Sequence, residues 1–338
     1  MSMPSTSLVF SAAAPASLSL FATISADVSR LTRPRIALMV LATVVTAMWL
    51  TAGRSFDGLA LSWLLIGTAL VAASSSIANQ ILERDTDRLM PRTVHRPIAA
   101  GRMSVASATA WTAALLGAGA AIVTVASGWQ PAAAAVATWL IYVVVYTPMK
   151  KMSPLNTAVG AVAGAMPVAI GWLAADGPQR LAGGDASGSL AAAALCTVLY
   201  LWQFPHFMAI AWIYRRQYAM AGLRMLSVDD PSGLRAAGQS LAAALAMVPV
   251  SLVLAVPSAS TRFFLAAAIA SIAYCVATVR FAVRRDDASA RVLLLTSLGV
   301  LLALLTAAVV FGCPVSLSAV ASGVSRVSFS ISSPHHFS

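Results

Sequence analysis

Nine stretches of about twenty almost uncharged residues recur along this chain, near 35–53, 61–82, 104–126, 131–148, 154–175, 189–212, 237–257, 262–282 and 290–312. Each is long enough to cross the roughly 30 Å hydrocarbon layer as a helix, which excludes almost every water-soluble architecture. Charged residues make up 10% of the chain, against roughly a quarter in soluble domains. The expected fold is therefore all-α: a polytopic membrane protein, a bundle of nine transmembrane helices with its long charged loops in the cytoplasm. The fourth stretch is the least regular, since prolines at 131 and 148 bracket it.

A net charge of +11 could suit nucleic acid, but the basic residues fall between apolar segments and not on one amphipathic face. No nucleic-acid partner is expected. Of 22 Lys and Arg residues, eighteen lie at the start of the first span or in and around the loops that follow the second, fourth, sixth and eighth, leaving Arg54, Arg180, Arg262 and Arg326 for the other side. The positive-inside rule then puts the N-terminus in the cytoplasm and the C-terminus outside. Residues 1–30 read as a flexible tail, 31–312 as the transmembrane domain and 313–338 as a disordered Ser-rich tail. The first 29 residues contain neither Lys nor Arg, so neither a secretory signal nor a mitochondrial transit peptide is indicated, and a bacterial inner membrane is expected. Cys196, Cys275 and Cys313 are widely spaced, with no disulfide frame or zinc-ligand pattern.

Against this apolar background stands "NQILERDTDRLMPRTVHRP", residues 79–97. Asn79, Glu83 and Asp87 recur every four residues, so a helix lines them along one stripe, while Asp85 points to the far side. Charges at the edge of a bilayer are costly unless paired or metal-bound. An amide and two carboxylates are hard oxygen donors suited to Mg²⁺, which keeps some waters and shares itself with substrate phosphates. Arg92, Arg96 and Arg102 follow at once, with forked donors that match phosphate oxygens. An ordinary loop of mutually neutralising charges would show the same composition.

The pattern NxxxExxxD followed by "MPRTVHRP" and "GRMS" resembles the first aspartate-rich motif of the UbiA superfamily of intramembrane prenyltransferases. Three further stretches are similar to that superfamily in matching order: "LTRPRIALMVL" (31–41), "YTPMKKMSPLNTAVGAVAGAMPVAIGW" (146–172) and "LWQFPHFMAIAWIYRRQYAMAGLRML" (201–226). Their form resembles the branch that farnesylates haem. The resemblance implies a transferase that moves the farnesyl group of farnesyl diphosphate to a vinyl group of haem B, with Mg²⁺ as cofactor and haem as substrate. It makes Asn79, Glu83 and Asp87 metal ligands, Tyr146 and Lys150 a catalytic Tyr-xxx-Lys pair, and Arg92, Arg96, Arg102 and Lys150 diphosphate ligands. The partners implied are the two substrates, the lipid bilayer and a haem A synthase. The superfamily's second acidic motif follows the sixth helix. Here "YRRQY" (214–218) carries no carboxylate, so Asp229 and Asp230 in the same loop are the candidates for a second metal site.

His206, in "WQFPHF", is an ionisable group inside a span, where such groups are rare. Either it meets haem iron, with Trp202 and Phe204 nearby, or it bonds a neighbour in a kinked helix. The small residues of "GAVAGAMPVAIG" (160–171) either pack helices closely or leave a groove for an isoprenoid. Two rival readings share parts of the pattern. A prenyltransferase for an aromatic quinone precursor is disfavoured by "RTVHRP" and "WQFPHF". A transporter is disfavoured because the charged motif sits at a helix end and not at the midplane.

Overall fold

The computed structural model describes residues 25–53 and 56–313. Arg54, Arg326, residues 1–24 of the expected N-terminal tail and residues 314–338 of the C-terminal one lie outside the described residues. Residues 25–32 are helical (α1), so the end of the segment expected as a flexible tail has regular structure. There follow α2 (Pro34–Ala52), α3 (Gly58–Leu82), the short α4 (Arg84–Arg88) and α5 (Val105–Ser127). Next come α6 (Trp129–Leu140), a π-helical segment (Ile141–Tyr146), α7 (Thr147–Met152), α8 (Asn156–Ala165), α9 (Pro167–Ala174) and α10 (Gly177–Ala182). The chain continues with α11 (Ser187–Ile213), α12 (Arg215–Met220), α13 (Leu226–Asp229), α14 (Leu234–Ala255), α15 (Thr261–Arg284) and α16 (Asp287–Phe311).

Among the described residues, nine helical runs are long and apolar enough to cross a membrane, and they follow the nine apolar stretches of the sequence to within a few residues. Side-chain caps set several boundaries. Asp57 accepts the Leu59 and Ala60 N–H groups, Ser104 that of Ser107, and Asp286 that of Ser289 in a reciprocal capping box. The fourth span is longer than its prolines suggest, running from Trp129 to Met152. Pro131 falls in the first turn, where its missing N–H costs nothing. Pro148 is absorbed by the widened turn before it, in which Thr147 N–H and Oγ both bond to the Tyr142 carbonyl.

Large apolar side chains such as Ile269, Val276, Leu295 and Leu302 point outward and are more than half exposed, as a surface facing lipid requires. Inside, one cluster joins α11, α15 and α16 around Leu195, Val198, Trp202, Tyr274, Phe281 and Leu304. A second joins α2, α3, α5, α6 and α9 around Val44, Leu64, Val71, Val123, Ala135 and Ile170. The helix α3 is held rigidly against α5. A Cβ on Gly67 would lie 2.8 Å from the Gly119 carbonyl oxygen, and one on Gly119 would lie 2.7 Å from that of Gly67. Such reciprocal approach needs glycine on both sides.

The charged loops gather at one end of the bundle. Asp27 pairs with Arg102, Glu83 with Lys150 and Arg215 with Asp287, while the Arg224 N–H donates to the Lys150 carbonyl at 2.7 Å. The loops that the basic-residue count assigned to one side are therefore neighbours in space.

Candidate active site

At that end a cavity of about 760 Å³ opens between the two clusters. Its floor is apolar, with Val71, Ile170, Leu199 and Leu301, and its mouth is charged. Leu38 of α2 and Leu298 of α16 both line it and are themselves 66% and 45% exposed, so the cavity reaches the outer surface between these helices.

The helix α3 ends at Leu82, yet the stripe continues through the break. Glu83 N–H bonds to the Asn79 carbonyl at 2.9 Å and Asp87 N–H to the Glu83 carbonyl at 2.8 Å. Both steps are the i→i+4 bond of an α-helix, so the three side chains keep their common face. Asp85 points away and pairs with Arg84 and Arg88 at the surface.

Glu83 and Asp87 face the cavity, and both converge on Arg96. The Arg96 Nη1 lies 2.7 and 2.6 Å from the two Asp87 oxygens and 3.4 Å from Glu83 Oε2. Lys150 Nζ donates to Glu83 Oε1 at 2.6 Å and sits 4.4 Å from the centre of the Tyr146 ring. Burial alone would raise the Glu83 carboxyl, but the Lys150 ammonium and Arg96 outweigh it and hold the group down at about 2. For Asp87 the balance goes the other way, and burial pushes its carboxyl up against the pull of Arg96.

Asn79 is fully buried, accepting from Arg33 Nη2 at 3.1 Å and donating to Thr147 Oγ1 at 3.1 Å. It therefore anchors an arginine and is not among the residues lining the cavity. Arg33 adopts a left-handed backbone with φ 49° immediately before Pro34, where the proline ring disfavours the ordinary helical region. Gln80 holds this joint by donating to the carbonyls of Arg30 and Leu31. Arg92 stacks on the Tyr214 ring at 4.4 Å and donates to the Tyr218 hydroxyl at 3.2 Å. "YRRQY" thus supplies an aromatic clamp for a guanidinium.

The structure brings together Glu83, Asp87, Arg92, Arg96, Tyr146, Lys150, Trp202 and His206 around one cavity. It does not bring Arg102 there, which bonds Asp27 at 2.6 and 2.8 Å. Asp229 pairs with Arg224, and Asp230 accepts the N–H groups of Ser232 and Arg235. Neither lines the cavity, so the structure does not bring them beside Glu83 and Asp87. Sequence reasoning missed Arg33, read only as a topology signal, and Asn156, which lines the cavity and whose buried Oδ1 has no hydrogen-bond partner among the described residues. The tyrosines of 214–218, four residues apart on one helix face, carried a detectable signal.

Two properties bear on the ligand. Five cations (Arg33, Arg35, Arg92, Arg96, Lys150) and two carboxylates (Glu83, Asp87) line the cavity, a surplus of positive charge that suits a polyanion. Three carboxylate oxygens also converge on one guanidinium nitrogen, so the donor set has a ready focus for a cation. Hard oxygen donors of this kind fit Mg²⁺.

A helical bundle with a cationic mouth over an apolar pocket is the architecture of an intramembrane protein that takes a ligand with an anionic head and an apolar body. The pattern of the UbiA prenyltransferase family matches residues 40–301, and the chain belongs to that family. It is similar to the protoheme IX farnesyltransferase of Rhodopirellula baltica, 47% identical over 225 residues that cover 67% of this chain and 76% of that one. It is also similar to that of Solibacter usitatus, 37% identical over 281 residues covering 80% and 93%. Its fold matches a UbiA homologue from Archaeoglobus fulgidus bound to GPP and Mg²⁺, with a TM-score of 0.60, 17% identity, and 84% and 99% of the two chains covered.

Proposed function

We propose that this chain transfers the farnesyl group of farnesyl diphosphate to a vinyl group of haem B, giving haem O and diphosphate. The carrying observation is the cavity itself, cationic at its mouth and apolar within. As the allylic C–O bond loosens, negative charge collects on the departing diphosphate and positive charge on the farnesyl carbon. Lys150, Arg96, Arg92 and Arg33 line that mouth and would meet the former without the reorganisation that water would require. The apolar interior keeps water from the carbocation until the vinyl carbon attacks. The positive charge passes to the other vinyl carbon, where water adds and releases a proton, leaving a hydroxyethylfarnesyl side chain, and a haem A synthase is the enzyme that would take up the product. Glu83 and Asp87 would hold Mg²⁺, which when bound adds positive charge beside the leaving group. Asn79 serves by fixing Arg33.

Purified protein supplied with haem B, farnesyl diphosphate and Mg²⁺ should yield a porphyrin heavier by one farnesyl group and one hydroxyl. A porphyrin of unchanged mass overturns the proposal.

The Tyr214–Tyr218 clamp gives a graded expectation. Replacing Tyr214 by Leu removes the ring under Arg92 and should raise KM for farnesyl diphosphate about 2- to 30-fold. Tyr214→Phe keeps the ring and should stay near wild type. Equal effects of the two would show that Arg92 does not depend on the stack.

The bundle also orients itself in a bacterial inner membrane, with the charged end in the cytoplasm. In a background with Cys196, Cys275 and Cys313 replaced, Met220→Cys should react with an impermeant thiol reagent only from the cytoplasm. Asp185→Cys, exposed at the other end, should react only from outside. The opposite labelling would invert the topology.

A further inference from the structure

Within the apolar part of the cavity stands one imidazole. His206 lies seven residues before the end of α11, about 10 Å along the helix from its charged end. Its surroundings fix both the orientation of the ring and the position of its proton. Ser297 Oγ is 2.6 Å from the Leu294 carbonyl oxygen and 2.7 Å from His206 Nδ1. A hydroxyl has one hydrogen and a carbonyl can only accept, so the serine proton goes to Leu294. The proton in the second contact must then belong to Nδ1. A neutral ring protonated at Nδ1 carries its lone pair on Nε2.

That lone pair is left available. Nε2 has no hydrogen-bond partner among the described residues, and His206 lines the cavity. The ring is held further by stacking on Trp202, with centroids 4.6 Å apart and planes 23° from parallel. Trp202 is fixed in turn, since its Nε1 donates to the Ser297 carbonyl at 2.7 Å and its own carbonyl accepts from the Tyr274 hydroxyl at 2.6 Å. A histidine serving only to satisfy a kinked helix would have no reason to leave one nitrogen bare in a pocket. An imidazole whose Nδ1–H is spent on an oxygen acceptor and whose Nε2 faces open space has the arrangement of a metal ligand with its supporting shell.

We infer that His206 Nε2 ligates the iron of the haem substrate, with Ser297 and Trp202 as positioning residues. The inference rests on the haem-acceptor reading above. Ligation directs the Fe–N bond along the plane of the imidazole, so the porphyrin stands across that plane. Trp202, stacked on the ring, then flanks the Fe–N bond and does not lie beneath the porphyrin. The haem is thereby held inside the apolar wall while the diphosphate stays at the cationic mouth.

The chain has four histidines, so full-length protein with His95, His335 and His336 replaced by Ala retains a single imidazole. Labelled with ¹⁵N-histidine and loaded with ferric haem B, it should show nitrogen hyperfine coupling from an imidazole bound to iron. His206→Ala should abolish that signature, added imidazole should restore it, and Ser297→Ala should weaken haem binding roughly 10- to 100-fold. Absence of the coupling in the single-histidine protein overturns the inference, whether or not the His206 variant folds. So does a thioether or phenolate signature, since Met39, Tyr142 and Tyr146 also line the cavity. Product mass is read separately. Farnesylated haem formed without histidine ligation would sink the ligand and leave the activity, whereas histidine-bound haem that is never farnesylated would sink the activity alone.

Discussion

Asp87→Asn is expected to form haem O about 100- to 1,000-fold more slowly while still inserting and folding. The substitution keeps the shape of the side chain and an oxygen for Arg96, and it removes only the charge. Asp87 is fully buried and takes both short contacts from Arg96. Without that charge the converging set of carboxylate oxygens falls from three to Glu83 Oε2 alone, and the focus that suits a divalent ion is lost. A merely structural Asp87 predicts a different outcome: a lower thermal midpoint with kcat intact. Measuring kcat beside the unfolding temperature separates the two, and near-normal turnover would remove the stripe from the chemistry.

Lys150→Ala should fall by a similar factor, again about 100- to 1,000-fold in kcat/KM. Its ammonium is the cation nearest Glu83 and lies over the Tyr146 ring, which fixes where its charge meets the diphosphate. Lys150→Arg should recover little, because the longer, planar guanidinium would not put its charge at the point where the largely buried ammonium meets Glu83 Oε1. Recovery to within a few-fold of wild type would mean that the site needs only net charge at that point.

The nine spans were legible in the sequence because lipid makes apolar length a strong signal. The i, i+4, i+8 stripe was legible because a helix turns repetition into a face. The irregular joints were not. Pro148 suggested an early end to the fourth span, and only the widened π-helical turn shows how the chain carries on past it. Arg102 looked like a phosphate ligand by proximity in sequence, but the loop turns it towards Asp27. Asp229 and Asp230 shared a loop with "YRRQY" without sharing its cavity. Ser297 and Arg33 are brought in from other helices by tertiary packing, and no local spacing announces such a contact. Asn79 lay on the expected face, and its bonds to Arg33 and Thr147 come from residues that tertiary packing brings to it.

The exposure of Leu38 and Leu298 along the side of the cavity has a further consequence. A fifteen-carbon tail and a porphyrin are both sparingly soluble, and a pocket that opened only to water would have to wait for rare free molecules. On the proposed reaction, an opening between α2 and α16 would let both reactants be drawn from stock already dissolved in the bilayer. Turnover should then follow their density per unit of membrane area, and diluting the vesicles with plain lipid should slow the reaction even when the bulk concentrations stay constant.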